Sequence, residues 1–371
     1  MHAAAVPLRG RHPAPPRDGD RALIAYRLDR SFAWNAAHPP KLPARPRKLR
    51  ADTGARLFDH RVESLLGIAA GPLPNSRWIE AYARLGYGVL TYKTVRTSAR
   101  AAFPHPNLIH CRLGDPSVAE PAPRKLDPSA VTWAVSVGLP SADPAEWRSD
   151  VTRARAKLHP DQILIVSVVG TPVPDGDPEQ LAGDYALAAR WAAEAGADVV
   201  EVHLSSPNTA GEHAQMIFEN PALSALIVDR VRRAVGQRPI VAKIGATRSP
   251  RALHELASRL APRLDGFVLV NGLERRVVKA DQSAAFAGET RATAGVGGAA
   301  VFEHALMQVD ELVAWRKAGA WNRTILAVGG ITTTARARAA LAAGADGVMV
   351  ATAALTDPLI GARFLLERPT E

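Results

Sequence analysis

The chain has 371 residues, of which 47% are hydrophobic and 22% charged, so it has enough apolar side chains for a large core. No apolar run approaches the ~18 residues needed to cross a bilayer, and the N-terminus, interrupted by prolines, lacks the apolar stretch of a secretory signal. The single cysteine, Cys111, excludes an internal disulfide and any metal or iron–sulfur site built on several cysteines. We therefore expect a cytoplasmic protein without a metal site.

The net charge of +10 is concentrated at the start of the chain. Residues 1–50 carry +8, from 11 Lys and Arg against 3 Asp and Glu, which leaves about +2 for the rest. We interpret residues 1–55 as a Pro-rich, partly disordered leader, with a short helix over 22–36 and a stiff spacer over 39–46. Membrane contact would be at most peripheral, through this leader. No nucleic-acid partner is expected, and a homodimer is compatible with the sequence.

From residue 56 to 371 the pattern predicts a second, catalytic domain in which apolar runs alternate with helical stretches. The predicted strands are 65–71, 88–94, 162–170, 198–205, 239–244, 266–271, 324–329 and 347–352, and the predicted helices are 78–85, 184–195, 222–235, 250–260 and 333–343. Eight such repeats with nearly continuous apolar strands are typical of a parallel (β/α)₈ TIM barrel of the α/β class. A doubly wound open sheet is the alternative, but residues 67–71 do not form its Gly-x-Gly-x-x-Gly turn.

Two connections are too long for plain loops between a strand and a helix. Residues 95–160, after the second strand, contain an apolar run at 131–138 and a helix at 143–157. Residues 272–322, after the sixth strand, contain a helix at 302–318. Both insertions leave from the carboxyl ends of strands, where barrels carry their active sites, and we interpret them as lids or substrate loops.

The fourth predicted strand ends in a cluster of small polar residues. Its carboxyl end brings His203, Ser205, Ser206, Asn208 and Thr209 to one place. The carboxyl ends of parallel strands are where α/β folds put their chemistry. A plain polar turn is the alternative interpretation of this cluster.

Two glycine pairs and the end of the eighth strand predict a phosphate site. Gly329 and Gly330 follow the seventh strand, Thr352 ends the eighth, and Gly297 and Gly298 lie in the second insertion. In barrels, the loops after strands seven and eight bind phosphate because glycine lets backbone N–H groups approach it closely. Each pair alone is compatible with a simple helix cap.

Two lysines are predicted at strand ends, Lys93 on the second strand and Lys243 on the fifth. Lysine is almost never buried without an anionic partner, so both side chains are expected to face the barrel mouth. Two cations beside a phosphate site favour a cofactor whose reduced form is anionic, such as a flavin. Side chains that extend over the rim to water are the alternative.

These motifs, in this chain order, resemble those of the dihydroorotate dehydrogenase family. The similar segments cover the chain from about residue 60 to its end, and the loop 204–209 is the most specific of them. They are 69–71, 92–94, 137–140, 204–209, Lys243, 270–271, 297–298, 329–331 and 351–353. The resemblance implies an FMN-dependent barrel enzyme that oxidises dihydroorotate to orotate in pyrimidine biosynthesis.

The resemblance also implies roles for individual residues. The implied FMN ligands are Ala69, Ala70, Gly71, Lys93, Thr94, Ser167, Lys243, Gly297, Gly298, Gly329, Gly330, Ala351 and Thr352. The implied substrate ligands are Lys93, Gly138, Leu139, Asn208 and Asn271. Ser206 would be the base that takes a proton from a substrate carbon, with Thr209 in a proton relay. The electron acceptor is not indicated.

Two positions depart from the family pattern. The family usually has asparagine, which hydrogen-bonds the pyrimidine, where this chain has Val135 and His203. Losing two buried hydrogen bonds of about 1–3 kcal/mol each weakens recognition strongly unless they are replaced. His203 could replace one of them, act as the base itself because its ordinary pKa is near neutrality, or only hold the loop. A relative that acts on another cyclic amide or enone is therefore a second hypothesis.

Two further hypotheses come from other classes of protein. A tRNA enzyme with dihydrouridine chemistry would match the basic pI of about 10.1, but it predicts a catalytic cysteine at the barrel mouth, whereas Cys111 lies in the first insertion. A flavin-binding protein without turnover is the other possibility.

Overall fold

The computed structural model describes residues 25–42, 54–114, 117–123, 127–173, 177–205, 215–288, 291–319 and 321–367. The first half of the described chain contains α1 (Phe32–Ala37), β1 (Arg56–Leu57), β2 (His60–Arg61), β3 (Leu66–Ile68), α2 (Ser76–Tyr82), β4 (Val89–Val95), β5 (Leu108–Leu113), β6 (Val118–Pro121), β7 (Thr132–Val135), α3 (Pro144–Lys157), β8 (Ile163–Val168) and α4 (Pro178–Glu194). The second half contains β9 (Val199–His203), α5 (Pro221–Val235), β10 (Ile240–Ile244), α6 (Pro250–Leu260), β11 (Gly266–Leu269), β12 (Leu273–Val277), β13 (Thr293–Gly298), α7 (Phe302–Ala318), β14 (Thr324–Val328), α8 (Thr334–Ala342), β15 (Gly347–Val350), α9 (Thr352–Thr356) and α10 (Ile360–Leu366).

Eight parallel strands close into a barrel in the order β3, β4, β8, β9, β10, β11, β14, β15. Each coincides with one of the eight predicted strands, so the predicted TIM barrel is confirmed. These strands are buried on both faces, which explains why their sequences are apolar almost throughout.

Four of the outer helices begin in the same way. The residue before each is Asp or Asn or Ser, its side chain accepts a backbone N–H of the first turn, and proline follows at the first helical position. Such caps satisfy N–H groups that have no partner within the helix, and proline lacks the N–H that would be left over. Capped helices alternating with strands place the strand ends in a ring.

The inside of the barrel has two layers of different chemistry. The lower layer is apolar and includes Val89, Ile163, Val199 and Val241, and Leu57 of the β1–β2 hairpin packs against it. Side chains on a strand alternate between faces, so the inward positions nearer the carboxyl ends are Thr91 and Lys93 on β4, Ser167 on β8, Glu201 and His203 on β9, and Lys243 on β10. The barrel is thus sealed at one end and polar at the other.

The two insertions form a second sheet together, which the sequence analysis did not predict. Strands β5, β6 and β7 of the first insertion join β12 and β13 of the second in a closed five-stranded sheet. Its core contains Ala134, Phe286 and Val296. The insertions are therefore a packed unit at the barrel mouth rather than separate loops.

The helix predicted over 22–36 is wrong in its bounds, because the described part of that range is helical only from Phe32, within α1. Ser31 ends the preceding turns, and its side chain accepts the N–H of Trp34 as an N-cap. The segment packs on the barrel: Trp78 donates its indole N–H to the carbonyl of Asn35 at 3.1 Å. Residues 1–24 and the second half of the predicted spacer, 43–46, lie outside the described residues. Within the described ranges, no helix is long and apolar enough to cross a membrane.

Candidate active site

A ring of polar side chains lies inside the barrel at its carboxyl end. This polar ring consists of Lys93, Ser167, Glu201, His203 and Lys243, and each is at most 8% exposed. Strand pairing sets their positions: His203 is in register with Lys243, and Glu201 with Ser167. The hydroxyl of Thr94, a predicted cofactor ligand, lies 3.0 Å from that of Ser167. The predicted lysines and His203 therefore meet in one place.

Burial makes the charge on Lys93 costly. Its pKa is lowered from 10.5 to about 7, first by burial and then by the neighbouring charges of Lys243 and Arg96, while Glu201 acts in the opposite direction. Fixed cations in a site with little water attract an anion strongly. The mouth of the barrel is accordingly suited to a negatively charged ligand.

This pKa predicts how the stability of the apoprotein depends on pH. The unfolded chain keeps the Lys93 proton up to about pH 10.4, whereas the folded chain releases it near 7. Between these values the unfolded state binds more protons, so the contribution of Lys93 to the free energy of unfolding rises with pH, by up to about 1.4 kcal/mol per unit. Urea unfolding of wild type and Lys93→Met at pH 7–9 measures it: the variant should lack this rise, and parallel curves would contradict the assignment.

His203 is held as a neutral imidazole. Its pKa lies well below the usual value, because of burial first and then the charges of Lys243 and Lys93. Its backbone carbonyl accepts the hydroxyl of Tyr185 at 2.8 Å, and its Nδ1 has no hydrogen-bond partner among the residues that the structure describes. An imidazole beside two cations is a poor proton acceptor, and its Nδ1 is buried without a described partner.

A glycine-lined cradle lies beside the polar ring. It is formed by the predicted phosphate residues Gly297, Gly298, Gly329, Gly330, Ala351 and Thr352, which line one cavity together with Asn271. Asn271, predicted as a substrate ligand, is thus in the lining of the cradle cavity. Three separate strand ends converge on this one cavity.

The backbone of the cradle requires glycine at two positions. Gly298 has φ +97°, and a Cβ there would lie 2.2 Å from the carbonyl oxygen of Val131. Gly330 has φ +68°, and a Cβ would lie 2.3 Å from the nitrogen of Phe302. A Cβ on Gly297 would instead meet only Thr352 Oγ1, at 4.0 Å, so that Gly297 faces open space in the cradle. The site fits a cofactor with a phosphate group next to an electron-rich ring.

The remaining predicted ligands border the same mouth. Ala69 and Ala70 are buried directly after β3, and the Ala69 N–H donates to the carbonyl of Val350 at 3.0 Å, next to Ala351. Gly71 follows them and is exposed. The structure therefore brings the predicted segment 69–71 to the strand end that borders the cradle.

Gly138 and Leu139 form a turn with positive φ at both residues. The guanidinium of Arg96 fixes this turn by donating to the carbonyls of Leu139 at 3.1 Å and Gly170 at 2.9 Å. Sequence reasoning missed Arg96, although an arginine directly after an apolar strand was a usable signal. Ser206, Asn208 and Thr209 lie outside the described residues, so their roles stay predictions.

Val135, the first departure from the family pattern, lies on the same face of the small sheet as Gly297, which lines the cradle. Its neighbours along the strand pairing, Ala134 and Val296, point into the core of the small sheet. Residues that alternate with them point the other way, and Val135 packs against the main barrel core. An apolar side chain therefore stands where the family has an amide.

Cys111 is 4% exposed on β5 and packs in the small sheet, away from the polar ring. Burial raises the pKa of its thiol to about 11, and only the thiolate is reactive. The thiol is thus unsuited to the catalytic role that the dihydrouridine hypothesis requires.

The architecture defines the class: a parallel barrel enzyme with a glycine-lined cradle and a cationic mouth. Residues 54–365 match the sequence model of the family described as Dihydroorotate dehydrogenase. The chain belongs to this family, whose members are FMN-dependent oxidoreductases acting on CH–CH groups. The resemblance noted in the sequence is confirmed.

Individual relatives agree with this assignment. The chain is 28% identical to a dihydroorotate dehydrogenase of Dictyostelium discoideum over 321 residues, 82% of this chain and 85% of that protein. It is 31% identical to a dihydroorotate dehydrogenase (quinone) of Thermobifida fusca over 304 residues, 78% of this chain and 71% of that protein. A crystal structure of DHODH from Eimeria tenella with ferulenol has the same fold, with a TM-score of 0.69 at 18% identity, covering 90% of this chain and 87% of that one.

Proposed function

We propose that this protein binds FMN and oxidises dihydroorotate to orotate in pyrimidine biosynthesis. The observation that carries the proposal is the meeting of the buried lysines Lys93 and Lys243 with the glycine cradle at one strand-end face. Dihydroorotate carries a carboxylate, which suits a cationic mouth. A panel of dihydroorotate and other cyclic amides, assayed with an artificial electron acceptor, tests it: turnover of another compound alone would overturn the dihydroorotate assignment.

The residues divide between cofactor and substrate. The cradle would hold the FMN phosphate through backbone N–H groups, and Lys243, Thr94 and Ser167 would contact the flavin ring. FMN, when bound, supplies the hydride acceptor. Lys93 would orient the substrate carboxylate, and the turn at Gly138 and Leu139 would cover the substrate and exclude water.

We infer that Ser206 removes the substrate proton and that His203 positions the substrate. The low pKa of His203 supports this division, since a nitrogen that is hard to protonate is a weak base. His203 would then donate or accept one hydrogen bond where the family uses an amide.

The exchange His203→Asn tests this division directly. It restores the amide of the family, so we expect flavin reduction by dihydroorotate to stay within about tenfold of wild type. Ser206→Ala should slow it by about 10²–10⁴-fold, the usual contribution of a general base. Anaerobic stopped-flow absorbance measures both variants. If instead His203→Asn is the slow variant and Ser206→Ala is not, His203 is the base.

A second candidate function is oxidation or reduction of another cyclic amide or enone. It is favoured by Val135, an apolar side chain at the mouth in place of an amide. Under this alternative Val135→Asn improves activity with dihydroorotate and reduces activity with the true substrate. Under the main proposal Val135→Asn does not improve activity with dihydroorotate.

We further propose a quinone as electron acceptor. The relative of Thermobifida fusca is named as a quinone enzyme, and a cavity of about 790 Å³ lined by Phe32, Ala33 and Ala36 of α1 reaches Lys93. An apolar wall next to the cationic mouth suits an uncharged ring. Reoxidation of the reduced protein by a soluble quinone, compared with fumarate and NAD, distinguishes the acceptors.

A further inference from the structure

Glu201 is the least expected member of the polar ring. It lies in the middle of β9, where the apolar pattern calls for a residue such as valine, and it is 0% exposed. Neither of its carboxylate oxygens has a hydrogen-bond partner among the described residues. Burying a charge without a partner is costly, so such a group persists where another charge offsets it.

The neighbours of Glu201 supply that charge. Its strand partners are Ser167 on β8 and Val241 on β10, so it lies one inward position deeper than His203 and Lys243. The charged groups that act on Lys93 are Lys243 and Arg96, which oppose its positive charge, and Glu201, which supports it. His203 is neutral, which leaves the Glu201 carboxylate facing the two lysines from below.

We propose that Glu201 is a positioning residue that offsets the charges of Lys93 and Lys243 and thereby lowers the reduction potential of FMN bound at the barrel mouth. Two ammonium groups stabilise a reduced, anionic ring, and a fixed carboxylate one layer deeper weakens that stabilisation. The residue thus supports the positive charge of Lys93 while limiting how strongly the mouth favours reduced cofactor. This inference rests on the proposed binding of FMN.

Glu201→Gln removes the negative charge and keeps the shape. The matched control is Glu201→Asp, which keeps the charge, and Glu201→Val replaces the group by the residue type usual in buried strands if the amide variant does not fold. The potential of the bound FMN is measured by dye equilibration from pH 5.5 to 8.5. At the acidic end, where Lys93 is protonated, we expect the charge-free variants to shift the equilibrium about tenfold toward reduced cofactor, about 30 mV for a two-electron couple.

A second arm uses the apoprotein and needs no cofactor. Without the carboxylate, the pKa of Lys93 falls further, so the rise of unfolding free energy with pH begins at a lower pH in Glu201→Gln than in wild type or Glu201→Asp. Failure of the wild type to bind FMN would refute the proposed function, but the stability measurement on the apoprotein would still test the role of Glu201. Potentials and stability curves that coincide for wild type and both charge-free variants would overturn the role of Glu201.

Discussion

Replacing Lys243 by methionine is expected to slow flavin reduction by about 10²–10³-fold, the usual cost of losing one fixed donor at the reacting centre. Lys243 is 5% exposed and in register with His203, so its ammonium group is held at the strand-end face. Methionine has nearly the same length and is apolar, which lets the core close around it. The measurement is anaerobic stopped-flow absorbance with the variant saturated with FMN.

Lys157→Met is the control for this experiment. Lys157 pairs with Glu80 at 3.1 Å on the surface, where its side chain is 49% exposed. Its loss should leave the rate unchanged. A Lys243→Met protein that carries FMN and is reduced at the wild-type rate would show that the lysine takes no part in the chemistry.

Gly330→Ala is expected to abolish FMN binding and to destabilise the apoprotein by about 2–5 kcal/mol. The added methyl group would lie 2.3 Å from the nitrogen of Phe302, and φ is +68°, a conformation that costs other residues about 1–2 kcal/mol. Overpacking adds about 1–3 kcal/mol. Urea unfolding and equilibrium dialysis with FMN measure the two effects.

Two further variants, Gly295→Ala and Gly297→Ala, distinguish an effect on protein stability from an effect on FMN binding. A Cβ on Gly295 meets nothing within 4 Å, so this variant should behave as wild type. On Gly297 it points into the cradle without a clash, so we expect normal stability with weaker FMN binding. If Gly297→Ala binds FMN as tightly as Gly295→Ala, the phosphate does not lie in the cradle.

The barrel could be predicted from the sequence because each of its strands and helices is encoded by a short stretch of neighbouring residues. Each strand is a short, nearly continuous apolar run, and helices α3 to α6 each begin at a cap that adjacent residues provide. The glycine and lysine positions could be predicted for the same reason, since the carboxyl ends of parallel strands must share one face.

The small sheet could not be predicted, because its strands pair across long stretches of sequence. Val135 of the first insertion lies opposite Gly295 of the second, and no local pattern encodes a pairing between residues so distant in the chain. Glu201 was overlooked for a related reason. The role of an acidic residue within this apolar run depends on Lys93, which lies on a strand distant in the sequence. The loop with Ser206 was predicted from its motif, and its role rests on that motif alone.

We expect the substrate to reduce a flavin held between the cradle and the polar ring. The most direct measurement is anaerobic mixing of the FMN-loaded protein with dihydroorotate while the flavin absorbance is followed. The yellow colour should bleach in wild type and far more slowly in Lys243→Met. A wild-type protein that dithionite bleaches and dihydroorotate leaves oxidised would contradict this expectation.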